Sequence, residues 1–164
     1  CVQNSSQEGG IMRSKIVLML GLLPMLALSA NSQTVKQESS VPRQHSTRFL
    51  QLVNESKKHV RETNVDEVKA KLDRGEKLIL IDVREESEFA KDHLPGAIHL
   101  SRGVIERDIE KNAPDINAPL VLYCGGGNRS ALAAESLQKM GYTNVLSMDG
   151  GIRAWREKGF PLAE

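Results

Sequence analysis

Aromatic side chains are scarce in this chain: three Phe, two Tyr and one Trp among 164 residues. So sparse a set does not build the stacking platforms on which proteins hold single-stranded bases. An excess of one charge is also missing. Lys and Arg number 22 against 21 Asp and Glu. That balance excludes a basic nucleic-acid face spread over the molecule and an acidic disordered chain. Two cysteines are too few for a disulfide framework or a four-thiolate zinc site. The apolar run at 16–28 is shorter than the roughly 20 residues that span a bilayer. What is present suits a packed core: 40% hydrophobic and 26% charged residues. The length fits one ordinary domain with extra chain at its ends.

The N-terminal region has the order of an address. Arg13 and Lys15 precede the apolar run Ile16 to Leu28, which Gly21 and Pro24 interrupt, and small residues Ala27, Ser29 and Ala30 follow. A charged, then apolar, then small-residue order marks a secretory signal peptide. It is expected over 12–30, starting at Met12, with 1–11 an upstream extension or remnant. Cleavage fits after Ser29 or Ala30. The competing reading is a retained anchor. No Cys follows the run, so no lipid anchor is expected. The mature protein is then expected in the periplasm or outside the cell, without stable membrane insertion. Its one remaining cysteine is Cys124. A lone thiol in a compartment that oxidises thiols is either buried and inert or reactive.

Beyond the address, residues 31–45 are polar and aperiodic and read as a linker. A single domain is expected over 46–164. Ser46 or Thr47 caps a helix carrying Phe49, Leu50, Leu52 and Val53. Residues 59–63 suit a short edge strand. Asn64 with Glu67 resembles a capping box ahead of Val65, Val68 and Leu72. Leu78-Ile79-Leu80-Ile81 and Leu120-Val121-Leu122-Tyr123 are continuous apolar runs, as in strands covered on both faces. Short strands are also expected at 97–100 and 144–148. Helices are expected at 85–93, around Val104, Ile105 and Ile109, at 130–140 and at 151–158. Strands alternating with helices imply βαβ units and a mostly parallel sheet.

The second apolar strand runs into Cys124-Gly125-Gly126-Gly127-Asn128-Arg129-Ser130. Ligands of open α/β sheets bind at such strand-to-helix junctions. Three glycines let the backbone curl with its N–H groups inward, and a helix N-terminus adds unpaired donors and favours the thiolate. The segment therefore reads as a nucleophilic sulfur within a ring of amides, able to hold an anion or the charge of a persulfide.

From about residue 59 to 162 the chain resembles the rhodanese-like domain family, in particular its small exported single-domain sulfurtransferases. The resemblance rests on four pieces in order. They are Ile81-Asp82-Val83-Arg84 with Glu88-Phe89, His93-Leu94-Pro95-Gly96-Ala97-Ile98, Tyr123-Cys124 through Arg129-Ser130, and Gly150-Gly151-Ile152 with Trp155. It implies an α/β fold with a five-stranded, mostly parallel sheet and helices on both faces. It implies that Cys124 takes sulfane sulfur from a donor such as thiosulfate. A persulfide forms and passes its sulfur to cyanide or a thiol, with no metal or organic cofactor. A monomer without nucleic-acid partners is expected. Thiosulfate enzymes of mammals carry basic side chains just after the cysteine, where this chain has Gly125 and Gly126. Thiosulfate is accordingly expected to be a weak donor.

Two further readings stand beside this one. Phosphatases and arsenate reductases also place a Cys…Arg loop at a helix N-terminus. Their loops usually hold one residue more than the four between Cys124 and Arg129, and a shorter ring suits a sulfur atom better than a phosphoryl group. A noncatalytic binding module of the same fold is the other reading. Arg129 either faces an anion or braces the loop against Asp82 or Glu88. Asp82 and Arg84, at a strand end beside the site, read first as a local ion pair supporting it. His93 and His99 read as turn or surface residues without a third metal ligand, Trp155 as core, and Lys57-Lys58 as a solvated charge pair.

Overall fold

The computed structural model describes residues 44–164. The segment at 1–11, the signal-peptide reading at 12–30 and the linker as far as 43 lie outside the described residues. Six helices and five strands follow one another as α1 (Thr47–Lys57), β1 (Arg61–Thr63), α2 (Val65–Asp73), β2 (Ile79–Asp82), α3 (Glu86–Phe89), β3 (Ile98–His99), α4 (Ile105–Asn112), β4 (Leu120–Tyr123), α5 (Asn128–Lys139), β5 (Val145–Met148) and α6 (Gly151–Glu157). The strands form one sheet in the order β1-β5-β4-β2-β3. Every pairing within it is parallel, where a mostly parallel sheet was expected.

The apolar runs sort onto two faces with the two-residue period of a strand. On β4, Leu120 and Leu122 pack with Ile105 and Ile109 of α4 and Ala133 and Leu137 of α5. Val121 and Tyr123 pack on the other face with Val65 and Val68 of α2 and Ile152 and Trp155 of α6. All four β4 side chains are buried, so no position needed to be polar and the run is continuous. Trp155 is core, 1% exposed, with its Nε1–H donating to the Pro161 carbonyl at 2.8 Å.

Element ends depart from expectation where tertiary contacts compete. The helix expected over 85–93 is only α3. His93 leaves it to exchange two backbone hydrogen bonds of 2.8 Å with Ala163, a pairing remote in sequence. His93 and His99 are half-buried and flank the Phe89 ring, with centroids 3.9 and 5.0 Å away. The Asn64 carboxamide caps α2 by accepting from Glu67 N–H at 2.9 Å, while the Glu67 carboxylate accepts from Thr63 Oγ instead of closing a capping box. Lys57-Lys58 is not a solvated pair. Lys58 meets only exposed Glu55, but Lys57 bonds Glu62 and Asp149 at 2.7 and 2.9 Å. It thereby ties α1 to β1 and to the residue that follows β5.

From β2 the chain leads to β3 on one side of the sheet, and from β4 it leads to β5 on the other. The carboxyl ends of β2 and β4 therefore flank a switch point, where open α/β sheets leave a crevice.

Candidate active site

Cys124 follows β4 directly and is 2% exposed. Its Sγ accepts the Gly127 N–H at 3.2 Å, and Ser130 Oγ lies 3.8 Å away. Gly127 has φ +99° and turns the loop into α5, a conformation that glycine adopts without steric cost. The helix consequently begins at Asn128, two residues before the expected start at Ser130. Ser130 does not cap it. Its hydroxyl donates back to the Gly127 carbonyl at 3.0 Å and receives the Ser147 hydroxyl at 2.9 Å. Both serines are fully buried beneath the loop.

Two of the loop's carbonyls are occupied by α6. Cys124 O accepts from Ile152 N–H at 2.9 Å, and Gly125 O accepts from Arg153 N–H at 3.2 Å. The amides of Gly125, Gly126, Asn128 and Arg129 make no hydrogen bond among the described residues. One amide thus already serves the sulfur, and four neighbouring donors are unused.

Arg129 braces the loop. Its guanidinium donates to both oxygens of Glu88, at 2.7 and 3.0 Å, with Glu85 at 3.7 Å. These bonds hold the Glu88 carboxyl below its ordinary pKa and raise Arg129 above its own. Asp82 is unavailable to Arg129 because Arg84 occupies it with bonds of 2.7–3.0 Å. Asp82 and Arg84 are 0% and 3% exposed, and Arg84 also donates to the Asp92 carbonyl. This buried pair fixes the end of β2 beside the cysteine. Burial, with the nearby Asp82 charge, pushes the Tyr123 phenol well above its usual range, so Tyr123 stays neutral and accepts the Leu94 N–H at 3.0 Å.

Cys124, Arg84 and Arg129 line an open cleft of about 970 Å³ together with two arginines of α6, Arg153 and Arg156. Sequence reasoning passed over both, as well as Ser147. The signal for Arg153 was its place two residues after the Gly150-Gly151 pair. Arg156 is held by Asp92 at 2.5 and 2.7 Å. Arg153 donates through Nε to the Gly125 carbonyl at 3.0 Å. Its guanidinium lies over Gly126, where a side chain would displace it.

Comparisons with known proteins agree with this geometry. The protein is 34% identical over 107 residues to YrkF of Bacillus subtilis, whose name assigns it provisionally to sulfur carriage. That match covers 64% of this chain, and the chain spans only 56% of that relative. Thiosulfate sulfurtransferase GlpE of Pseudomonas entomophila is 39% identical over 83 residues, covering 51% of this chain and 74% of the relative. A thiosulfate sulfurtransferase structure from Pseudomonas aeruginosa superposes with a TM-score of 0.64 at 26% identity, over 71% of this chain and 22% of its own. A Rhodopseudomonas palustris structure, described as of unknown function and a possible tyrosine phosphatase, gives 0.63 at 26% identity over 75% and 99%. The profile of the rhodanese-like domain matches residues 64–158. With the sheet order, the four sequence pieces and the cysteine loop in one place, the chain belongs to the rhodanese-like domain family.

Proposed function

We propose that this protein is a sulfurtransferase whose Cys124 takes up sulfane sulfur as a persulfide and passes it to a thiol or cyanide. One observation carries the reading. The only free cysteine of the described residues accepts an amide N–H at 3.2 Å beside four unpaired amides. A thiolate is the required nucleophile. The terminal sulfur of a persulfide extends into the amide cradle, where preorganised donors stabilise its charge. The names of the GlpE relative and of the Pseudomonas aeruginosa neighbour support the same chemistry.

The phosphatase reading loses support at Arg129. Holding a phosphoryl group needs a guanidinium free to fork onto its oxygens, and here the fork is filled by Glu88. The test sets thiosulfate:cyanide sulfur transfer beside aryl-phosphate hydrolysis, with one preparation. Sulfur transfer is expected to exceed hydrolysis by at least about 10³-fold, a separation of roughly 4 kcal/mol in barrier. Phosphate hydrolysis without any sulfur transfer would overturn the reading.

We propose also that the protein is exported, on the order of charged, apolar and small residues over 13–30. Protein purified from its native host is expected to begin at Ala30 or Asn31 on N-terminal sequencing. An intact N-terminus retained in the membrane fraction would contradict export. Among the described residues no helix is long and apolar enough to cross a membrane.

A further inference from the structure

The active-site loop brings no free positive charge to its cysteine. Gly125 to Gly127 have no side chains, and Arg129 is spent on Glu88. Of the four arginines that line the cleft, Arg84 is spent on Asp82 and Arg156 on Asp92. Arg153 alone has no carboxylate within ion-pair distance among the described residues. Its Nε is anchored on the Gly125 carbonyl, one residue from the nucleophile. Its two terminal nitrogens make no hydrogen bond among those residues, so the donor edge of the fork is unused. Lys91 also lines the cleft unpaired, but it makes no hydrogen bond to the loop. The space that Arg153 occupies exists because Gly126 lacks a side chain. A Cβ there would overlap Nη2 and lie 2.9 Å from Cζ.

We propose that Arg153 is the specificity-determining residue for anionic sulfur donors, holding the sulfonate end of a thiosulfate-type oxyanion while Cys124 attacks its sulfane sulfur. This rests on the sulfurtransferase reading above and reverses the expectation that a glycine loop makes thiosulfate a weak donor. The cation comes from α6, 28 residues away in sequence from the carbonyl that anchors it. In the step, the Cys124 thiolate forms a bond to the sulfane sulfur and the sulfur–sulfur bond of thiosulfate breaks. The electron pair of that bond leaves with sulfite. No outside oxidant or reductant enters, and the total charge is unchanged. The guanidinium faces negative charge both before and after bond cleavage, so it lowers KM and also eases the departure of sulfite. Anchoring Nε leaves one pair of N–H groups to fork onto two sulfonate oxygens.

The experiment measures sulfur loading of Cys124 by quenched-flow intact-protein mass spectrometry. Two donors are used below saturation: thiosulfate, and the hydropersulfide of 2-mercaptoethanol, which has sulfane sulfur but no sulfonate. Wild type is set beside Arg153→Gln, Arg153→Lys and Gly126→Ala. The thiosulfate-to-hydropersulfide ratio of loading rates is expected to fall at least about tenfold in Arg153→Gln, the loss of one charge-assisted contact. Arg153→Lys should recover part of the ratio. Gly126→Ala, which keeps the charge but displaces it, should lower the ratio in the same direction. An equal loss with both donors in Arg153→Gln would make Arg153 a loop brace and overturn the proposal. So would a wild-type protein that loads from hydropersulfide but not from thiosulfate, although the sulfurtransferase reading would then survive. A wild-type protein that loads from neither donor overturns both.

Discussion

Replacing Cys124 with serine is expected to remove the sulfur gain entirely and to lower turnover by at least about a thousandfold, as loss of a covalent nucleophile does. The hydroxyl keeps the shape of the side chain and remains an acceptor for the Gly127 N–H that now reaches Sγ at 3.2 Å. It has neither the acidity of a thiol nor a sulfur to share in a stable S–S bond. Nothing else in the cleft substitutes: Cys124 is the only free cysteine of the described residues. Because a hydrogen-bonded, 2% exposed position keeps its partner, stability should move by no more than about 1 kcal/mol. Thermal melts and far-UV spectra should match wild type, which separates lost chemistry from lost fold. Cys124→Ala should be equally inactive. Arg129→Ala should still form the persulfide, more slowly, because Arg129 positions the loop through Glu88 and does not touch the sulfur. Intact mass after donor treatment, then after cyanide, decides the matter. A sulfur adduct that persists in Cys124→Ser would place the nucleophile elsewhere and sink the mechanism.

The candidate nucleophile was legible in the sequence because strand, glycines and cysteine are contiguous. Leu120 to Tyr123 reads as a buried strand from composition alone, and the three glycines after Cys124 mark the tight junction. The alternation of elements then dictates a parallel sheet, and hence which strand ends bear the site. Local sequence did not show which partner takes which charge. Arg129 had two carboxylates within conceivable reach, Asp82 and Glu88. The choice was settled by Arg84, which closes on Asp82 two residues away and leaves Glu88 to Arg129. Arg153 was hidden for a similar reason. It reads as one exposed charge on a short helix, and only the β4–α5–β5–α6 crossover brings it over Gly126. Ser147 was invisible because a buried serine in a strand has no periodic signature. Its role appears only once Ser130 lies 2.9 Å away.

The most damaging change outside Cys124 is expected at Gly151. Its φ is +55°, and a Cβ built there would overlap the Cys124 carbonyl and stand 2.8 and 2.9 Å from Gly126 N and Gly125 C. All three are backbone atoms of the active-site loop, so no side chain can swing away to relieve the contact. The close approach exists because the first turn of α6 docks on the loop, through Ile152 N–H to Cys124 O at 2.9 Å and Arg153 N–H to Gly125 O at 3.2 Å. Gly151→Ala must either push α6 off the loop, orphaning both carbonyls, or distort the loop beneath Cys124. Left-handed strain and overpacking each cost about 1–3 kcal/mol, so a total on the order of 3 kcal/mol and a fall in Tm of roughly 10 °C are expected. Persulfide formation should drop even well below the melting range, because the same displacement moves the sulfur and Arg153 together. Gly159→Ala is the control. Gly159 also has a positive φ, +67°, but nothing lies within 4 Å of its added Cβ. It should therefore show the backbone term alone, about 1 kcal/mol, with sulfur loading intact. The measurement pairs thermal unfolding with donor-dependent mass gain for both variants. If Gly151→Ala were no worse than Gly159→Ala in either assay, the docking of α6 on the loop would not be what holds the cysteine in place.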